Sequence, residues 1–182
     1  MTSGAAQRVC GSCTLCCTVL DIPELAKPAG HGCVHANAGC AIYPERPSAC
    51  RIFTCGWLAS PALDDAWRPD RAGFLIRDER DEGQLCLDVD PARPGAWRRE
   101  PYLSQIRAWS RMVHDRSGCL VVYDGGEVSV VFPEQILDLG PLEPSPRLLV
   151  GYIRRDGAHW PLVRLLDGET TVREWVGDQP RR

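Results

Sequence analysis

"CGSCTLCC", Cys10 to Cys17, sets four cysteines within eight residues, and how they are used decides what fold the first third of the chain can take. Cys33, Cys40, Cys50 and Cys55 follow closely, and only Cys86 and Cys119 lie outside this window. Cys-x-x-Cys is the spacing at which a tight turn aims two sulfurs at one metal, and the Gly-Ser between Cys10 and Cys13 permits that turn. Cys10, Cys13 and Cys16 also match the opening of a bacterial ferredoxin motif. The match then stops, because no cysteine follows Cys16 at the required spacing and none precedes a proline. Neighbouring side chains of an extended segment point to opposite faces, so Cys16 and Cys17 are expected to diverge. Either two adjacent sites, or one ligand beside a thiol with another task, fits that divergence. Eight thiols would fill two tetrathiolate sites, whereas one four-iron cluster would leave four spare.

The surrounding residues give such a segment little else to fold around. Residues 8–60 are punctuated by Pro23, Pro28, Pro44, Pro47 and several glycines, and they are poor in large apolar side chains. The 44% hydrophobic share of the 182-residue chain counts all ten cysteines; without them it is roughly 38%, low for a packed domain. A region this short of core needs disulfides or metal. The opening residues carry no apolar signal region and no run of eighteen apolar residues occurs, so the expected location is cytoplasmic, with no membrane span. Reducing surroundings favour metal over a disulfide framework.

A net charge of −3 argues against nucleic acid as a partner. Lys27 is the sole lysine, a skew that reads as coding bias. The pairs Arg98–Arg99, Arg154–Arg155 and Arg181–Arg182 read as solvated surface.

Downstream the pattern changes. Phe74–Arg77 and Gln84–Asp90 read as two strands joined by an acidic tip of Asp78, Glu79, Asp81 and Glu82. "PYLSQIRAWSRMVHDRSG", residues 101–118, predicts the main helix: Leu103, Ile106, Trp109 and Val113 share a face and Gly118 ends it. His114 rides on it as a surface or packing residue. Residues 119–132 predict a hairpin around Asp124-Gly125-Gly126, residues 133–139 a helical turn, and residues 147–176 three strands split at Asp156-Gly157 and Asp167-Gly168. Cys86 and Cys119 read as small strand residues. The expected architecture is α+β: a cysteine-rich, loop-dominated metal-binding region over residues 1–60, then residues 61–182 with a small antiparallel sheet and one main helix.

The second half of the cysteine window, "CAIYPERPSACRIFTCGW", makes the comparison specific. Cys-x-x-Cys-x-x-Cys-Cys followed by CxIYxxRPxxCRxFxCxW resembles the bacterial YkgJ-type cysteine-cluster family, a zinc- or iron-chelating domain also found in flagellin lysine N-methylases. The resemblance spans residues 8–58. It implies that Cys10, Cys13, Cys16, Cys17, Cys33, Cys40, Cys50 and Cys55 are the metal residues, and it assigns nothing to Cys86 or Cys119. Arg46 and Arg51 flank Cys50, where they would offset the negative charge of a tetrathiolate centre and favour thiolate over thiol. His31 and His35, each two residues from Cys33, are further candidate ligands that the family pattern does not require.

No Walker loop, Gly-x-Gly-x-x-Gly, His-Glu-x-x-His, Gly-x-Ser-x-Gly or radical-SAM Cys-x3-Cys-x2-Cys spacing occurs. Any chemistry therefore belongs to the metal centre or to a partner. The expected cofactor is an iron–sulfur cluster, of the [4Fe–4S] kind, serving redox, sensing or cluster-dependent chemistry. The alternative is a structural zinc module whose sheet contacts a protein partner.

Overall fold

The computed structural model describes residues 8–79, 83–143 and 146–181. It is α+β, with two sheets and one main helix. Two compact units form, and they do not follow chain order: Met1–Asp78 joins Asp88–Trp97, and Glu79–Leu87 joins Arg98–Arg182. The step from residue 60 to 61 falls inside the first of these.

In the first unit the prolines and glycines break the chain into short pieces. Helices α1 (Cys16–Val19), α2 (Ser48–Ile52), α3 (Gly56–Ala59) and α4 (Pro69–Ala72) alternate with single 3-10 turns at Pro23–Leu25, Tyr43–Glu45 and Asp65–Trp67. Proline opens the first two of those turns and α4, where its missing N–H costs nothing. Buried apolar side chains hold these pieces together, Ile22, Trp57 and Trp97 among them. Leu15, Val19 and Leu75 pack with Leu20, Phe53, Cys13 and Cys16. Trp67 meets Phe74 edge to face, with centroids 6.0 Å apart. The returning segment is tied back by Asp90 N donating to Gly73 O at 2.9 Å and by Arg93 bridging Asp90 and Arg71 O. Gly73 sits at φ +85°, and a Cβ there would lie 2.7 Å from that of Ala96, so both its backbone and its surroundings demand glycine.

Strands β1 (Phe74–Glu79), β2 (Gln84–Val89), β3 (Cys119–Asp124), β4 (Glu127–Val131) and β5 (Ile136–Pro141) form one sheet in that order. Asp78 and Glu79 close β1; Asp81 and Glu82 of the expected acidic tip lie outside the described residues. Strands β6 (Leu148–Arg155), β7 (Ala158–Asp167) and β8 (Thr170–Val176) form an antiparallel second sheet. The first of its turns falls at Asp156-Gly157, between the paired Arg155 and Ala158, and the second one residue later than expected, at Gly168-Glu169, because Asp167 pairs with Thr170. The β3–β4 turn uses Gly125 and Gly126 at φ +62° and +92°, the left-handed pair that a two-residue hairpin requires.

Within the second unit, the main helix α5 runs Tyr102–His114. Ile106 and Ser110, four residues apart, are its fully buried positions, while Leu103, Trp109 and Val113 are half-buried. Ser110 Oγ donates to Val131 O at 2.5 Å. His114 Nε2 lies 3.2 Å from the same carbonyl, and its ring stacks on Phe132 with centroids 4.7 Å apart. One expectation is corrected here: residues 133–139 form no helical turn. Ile136 and Leu137 instead pair with Val131 and Val130, extending the β4 ladder into β5. The core combines Cys119, Val121, Val128, Val130, Phe132, Leu139 and Val163, and Cys86 is likewise buried in its strand. Two of the surface arginines are ion-paired, Arg98 with Asp138 and Arg181 with Asp115. Among the described residues, no helix is long and apolar enough to cross a membrane.

Candidate metal centre

Seven of the eight cysteines singled out by sequence line one cavity of the first unit: Cys10, Cys13, Cys16, Cys17, Cys40, Cys50 and Cys55. Its volume is about 90 Å³, and Leu20, Phe53, Trp57 and Leu75 close its apolar walls. Cys33 does not line it, but its N–H donates to Cys17 O at 2.9 Å, which holds it close behind. All ten cysteines are free thiols.

Local structure explains the convergence. Cys13 N–H donates to Cys10 O at 3.1 Å, closing the turn expected of Cys-Gly-Ser-Cys, and Gly11 takes φ +57°. Cys16 and Cys17 then open α1 rather than an extended segment, which corrects the geometry expected for them. Leu15 and Val19 are both buried, and that i, i+4 apolar pair is the sequence signal for the helical turn. Successive side chains in a helix diverge by about 100° rather than alternating, so the two thiols diverge yet stay in contact. The Cys16 thiol hydrogen-bonds the Cys17 sulfur, which raises the pKa of Cys16 and lowers that of Cys17. Cys33 and Cys40 share a loop in which Ala36 N–H reaches Cys33 O at 3.0 Å and Ala36 bridges to Cys40. Cys50 lies in α2, and Cys55 immediately precedes α3.

Burial is the main force on several sulfurs. It pushes the Cys13 thiol up, against the backbone N–H groups of Leu15 and Asp70 that face it. It pushes Cys55 up as well, opposed by the N–H groups of Leu58 and Trp57. Cys50 is raised by burial and then by Cys17, Cys40 and Cys33, with Arg46 pulling the other way. Backbone N–H groups and cations around sulfur are the surroundings in which thiolates persist as ligands.

Of the two expected arginines, only Arg46 lines the cavity. Its guanidinium stacks over the Tyr43 ring at 3.7 Å and its Nε donates to Tyr43 O at 3.1 Å. Arg51 is exposed on α2 and does not line the cavity. His31 and His35 are not cavity residues either; His31 Nδ1 sits 3.1 Å from Ala29 O.

Two basic residues were missed in the sequence. Lys27 is buried, and its ammonium donates to Thr18 O at 2.8 Å and to Leu20 O. Burial pulls its pKa down, while the neighbouring Cys17 and Cys33 hold it up. Arg68 donates to Cys10 O at 3.0 Å, lies 3.3 Å from Asp70, and faces the Trp57 ring at 5.9 Å. Lys27 carried a signal, being the only lysine among twenty arginines. An ammonium offers donors in three directions without a planar fork, which suits a closed nest of carbonyls.

This donor set fits a thiophilic group: soft sulfurs, N–H groups facing them and cations to offset charge. The sulfurs are arranged around a space and not around a point. Among the described residues, no three His, Cys, Asp or Glu side chains come together as a set for a single ion. No family model, curated protein or solved structure matches the chain.

Proposed function

We propose that the cysteine pocket holds a thiolate-bound metal centre, an iron–sulfur cluster of the [4Fe–4S] kind, and that the protein serves electron transfer, redox sensing or cluster-dependent chemistry. One observation carries this reading: seven thiols line a cavity of about 90 Å³ instead of meeting at a point. A lone zinc ion needs four ligands each about 2.3 Å away, whereas a cluster is gripped from the walls of a larger space. Bound there, the cluster would supply reversible electron transfer at a potential tuned by its surroundings.

The chain's own residues define the rest. The cysteine sulfurs hold the group. Leu20, Phe53, Trp57 and Leu75 restrict water. The N–H groups facing Cys13 and Cys55 stabilise sulfur charge without titrating. Lys27 and Arg46 offset negative charge on the side of Cys17. The resemblance to the YkgJ-type family supports the class of ligand.

A second reading, a structural zinc module that contacts a protein partner, draws on the closed Cys10–Cys13 turn and on the short helices and loops that make up the cysteine-bearing segment. Protein purified without oxygen separates the two. The cluster reading expects iron and sulfide in stoichiometric amounts and absorbance near roughly 400 nm that bleaches on reduction. Colourless protein with stoichiometric zinc would overturn it in favour of the second. Cys13→Ala should lose the metal, while Cys86→Ala and Cys119→Ala keep it; equal loss from Cys86→Ala would misplace the site.

A further inference from the structure

We infer that the cysteine pocket is entered through the segment Arg8–Cys13, a strap that carries two of its thiols and is latched from outside by Arg8 and Arg68. The inference goes beyond the metal-binding reading, because it names the way in and not the occupant.

Cys10 and Cys13 line the pocket, yet no residue of their segment is buried. Val9 is 69% exposed, Gly11 and Ser12 are exposed, and Arg8, Cys10 and Cys13 are half-buried. Packing into the core begins only at Leu15. Among the described residues, the one backbone hydrogen bond made by residues 8–13 is internal, from Cys13 N–H to Cys10 O. The loop that carries Cys33 and Cys40 is tied differently, since Gly30 N–H reaches Val19 O at 3.3 Å and Cys33 N–H reaches Cys17 O at 2.9 Å. Cys16, Cys17 and Cys50 ride helices, and Cys55 adjoins one. A segment with few buried apolar contacts and no backbone ladder to its surroundings is the part of a fold that opens first.

Two guanidiniums supply what the backbone does not. Arg8 donates to Trp57 O at 2.7 Å, to Ser60 O at 2.8 Å and to Leu63 O, so it caps the end of α3 and the turn beyond. Arg68 donates to Cys10 O at 3.0 Å and to Ser12 Oγ at 3.1 Å. Both guanidiniums lie against the Trp57 ring, their central carbons 4.9 and 5.9 Å from its centroid. Trp57 is a pocket wall, so the latch sits at the rim of the cavity that it closes. Hydrogen bonds at partly exposed positions exchange with water at modest net cost, whereas lifting a packed helix would expose apolar surface. A planar fork also grips several carbonyls at once, which an ammonium of the same charge does not reproduce. Opening the strap withdraws Cys10 and Cys13 from the wall together and leaves Leu20, Phe53, Leu75 and Cys55 in place.

The test follows Cys55, which lines the pocket and is 8% exposed, in the reduced, metal-free full chain. Modification by N-ethylmaleimide is read thiol by thiol in a mass spectrometer, beside hydrogen exchange, for wild type, Arg8→Gln, Arg68→Gln and Arg8→Lys. Both glutamine variants should raise the Cys55 rate about tenfold, in step with exchange at Cys13 N–H, and Arg8→Lys should recover only part of the loss. Cys86 and Cys119, the other two buried thiols, should react as in wild type. Ala59 N–H, which donates to Cys55 O at 3.0 Å, should keep its protection. Equal acceleration at Ala59 would mean that the arginines only brace α3, and it would overturn the strap. An unchanged Cys55 rate, or faster reaction of all three buried thiols together, would overturn it too. Should a glutamine variant fail to fold, wild type decides: Cys13 N–H should exchange ahead of both Cys33 N–H and Ala59 N–H, and the reverse order refutes the inference. No step uses metal, so a failure of the functional reading would leave this result standing.

Discussion

Lys27→Met is the perturbation that most directly separates a buried functional cation from an incidental lysine. The ammonium is 6% exposed and its two carbonyl partners, on Thr18 and Leu20, close the end of α1. Methionine keeps the length and apolar volume of the side chain but donates nothing. Hydrogen bonds to a charged group contribute about 1.5–3 kcal/mol each, and a buried acceptor left alone costs about 1–3 kcal/mol. Against this, the ammonium no longer has to be desolvated, which returns part of the loss. The net effect is a destabilisation of about 2–4 kcal/mol in the first unit. With a urea dependence of about 1–3 kcal/mol per molar, the midpoint should fall by roughly 1–2 M. Hydrogen exchange at residues 10–30, measured on anaerobically purified protein, localises the change to that unit. Metal content should fall with it, because Cys17 and Cys33 lose their nearest buried positive charge. A midpoint within about 0.3 M of wild type, with protection intact, would refute the reasoning.

The remaining expectations concern single contacts. Arg46→Gln should lower the reduction potential of the bound centre, since a nearby cation favours its more negative, reduced state, whereas Arg51→Gln should leave it in place; equal shifts in redox titration would reject this distinction. Burial first of all lowers the pKa of His114, with the Val131 carbonyl, Glu134 and Asp115 opposing and Arg181 adding, so the unfolded chain takes up the proton more readily. Stability from the neutral imidazole is therefore whole above its ordinary 6.5 and is lost as pH falls through the lower folded value. His114→Phe should flatten that acid limb in urea melts, and an unchanged limb would dismiss the role. Gly56→Ala would place a Cβ 2.8 Å from that of Ile76 and should cost about 1–3 kcal/mol by overpacking; a wild-type midpoint would show that α3 can move aside.

The parts legible in the sequence were those set by local rules. Asp-Gly and Gly-Gly turns placed the hairpins of both sheets, and apolar periodicity placed α5. The thiol window was legible because Cys-x-x-Cys geometry is short-range, and seven of its eight members line the cavity. What escaped depends on distant partners. Strand β5 lies where residues 133–139 read as a helical turn, and it exists because β4 offers it a ladder. Ser110 lies outside the apolar face read from the sequence, and it is buried because the Val131 carbonyl receives its hydroxyl. Lys27 and Arg68 gained their places from carbonyls and sulfurs that only the folded backbone gathers. Arg51, next in sequence to Cys50, faces solvent on its short helix, so proximity along the chain was a poor guide to proximity in space.

The first unit is completed out of order, and this governs its biosynthesis. All eight clustered thiols have been synthesised once Cys55 is made, but Leu75, a cavity wall, and the returning segment through Trp97 come later. The delay covers about forty residues, or about 2–8 s at a translation rate of 5–20 residues per second. During that interval the pocket lacks first its Leu75 wall and then the returning segment of its unit. On the proposed function, loading would be a race between capture of the centre and closure of the wall, and slower translation after Cys55 would lengthen the open phase without altering one candidate ligand.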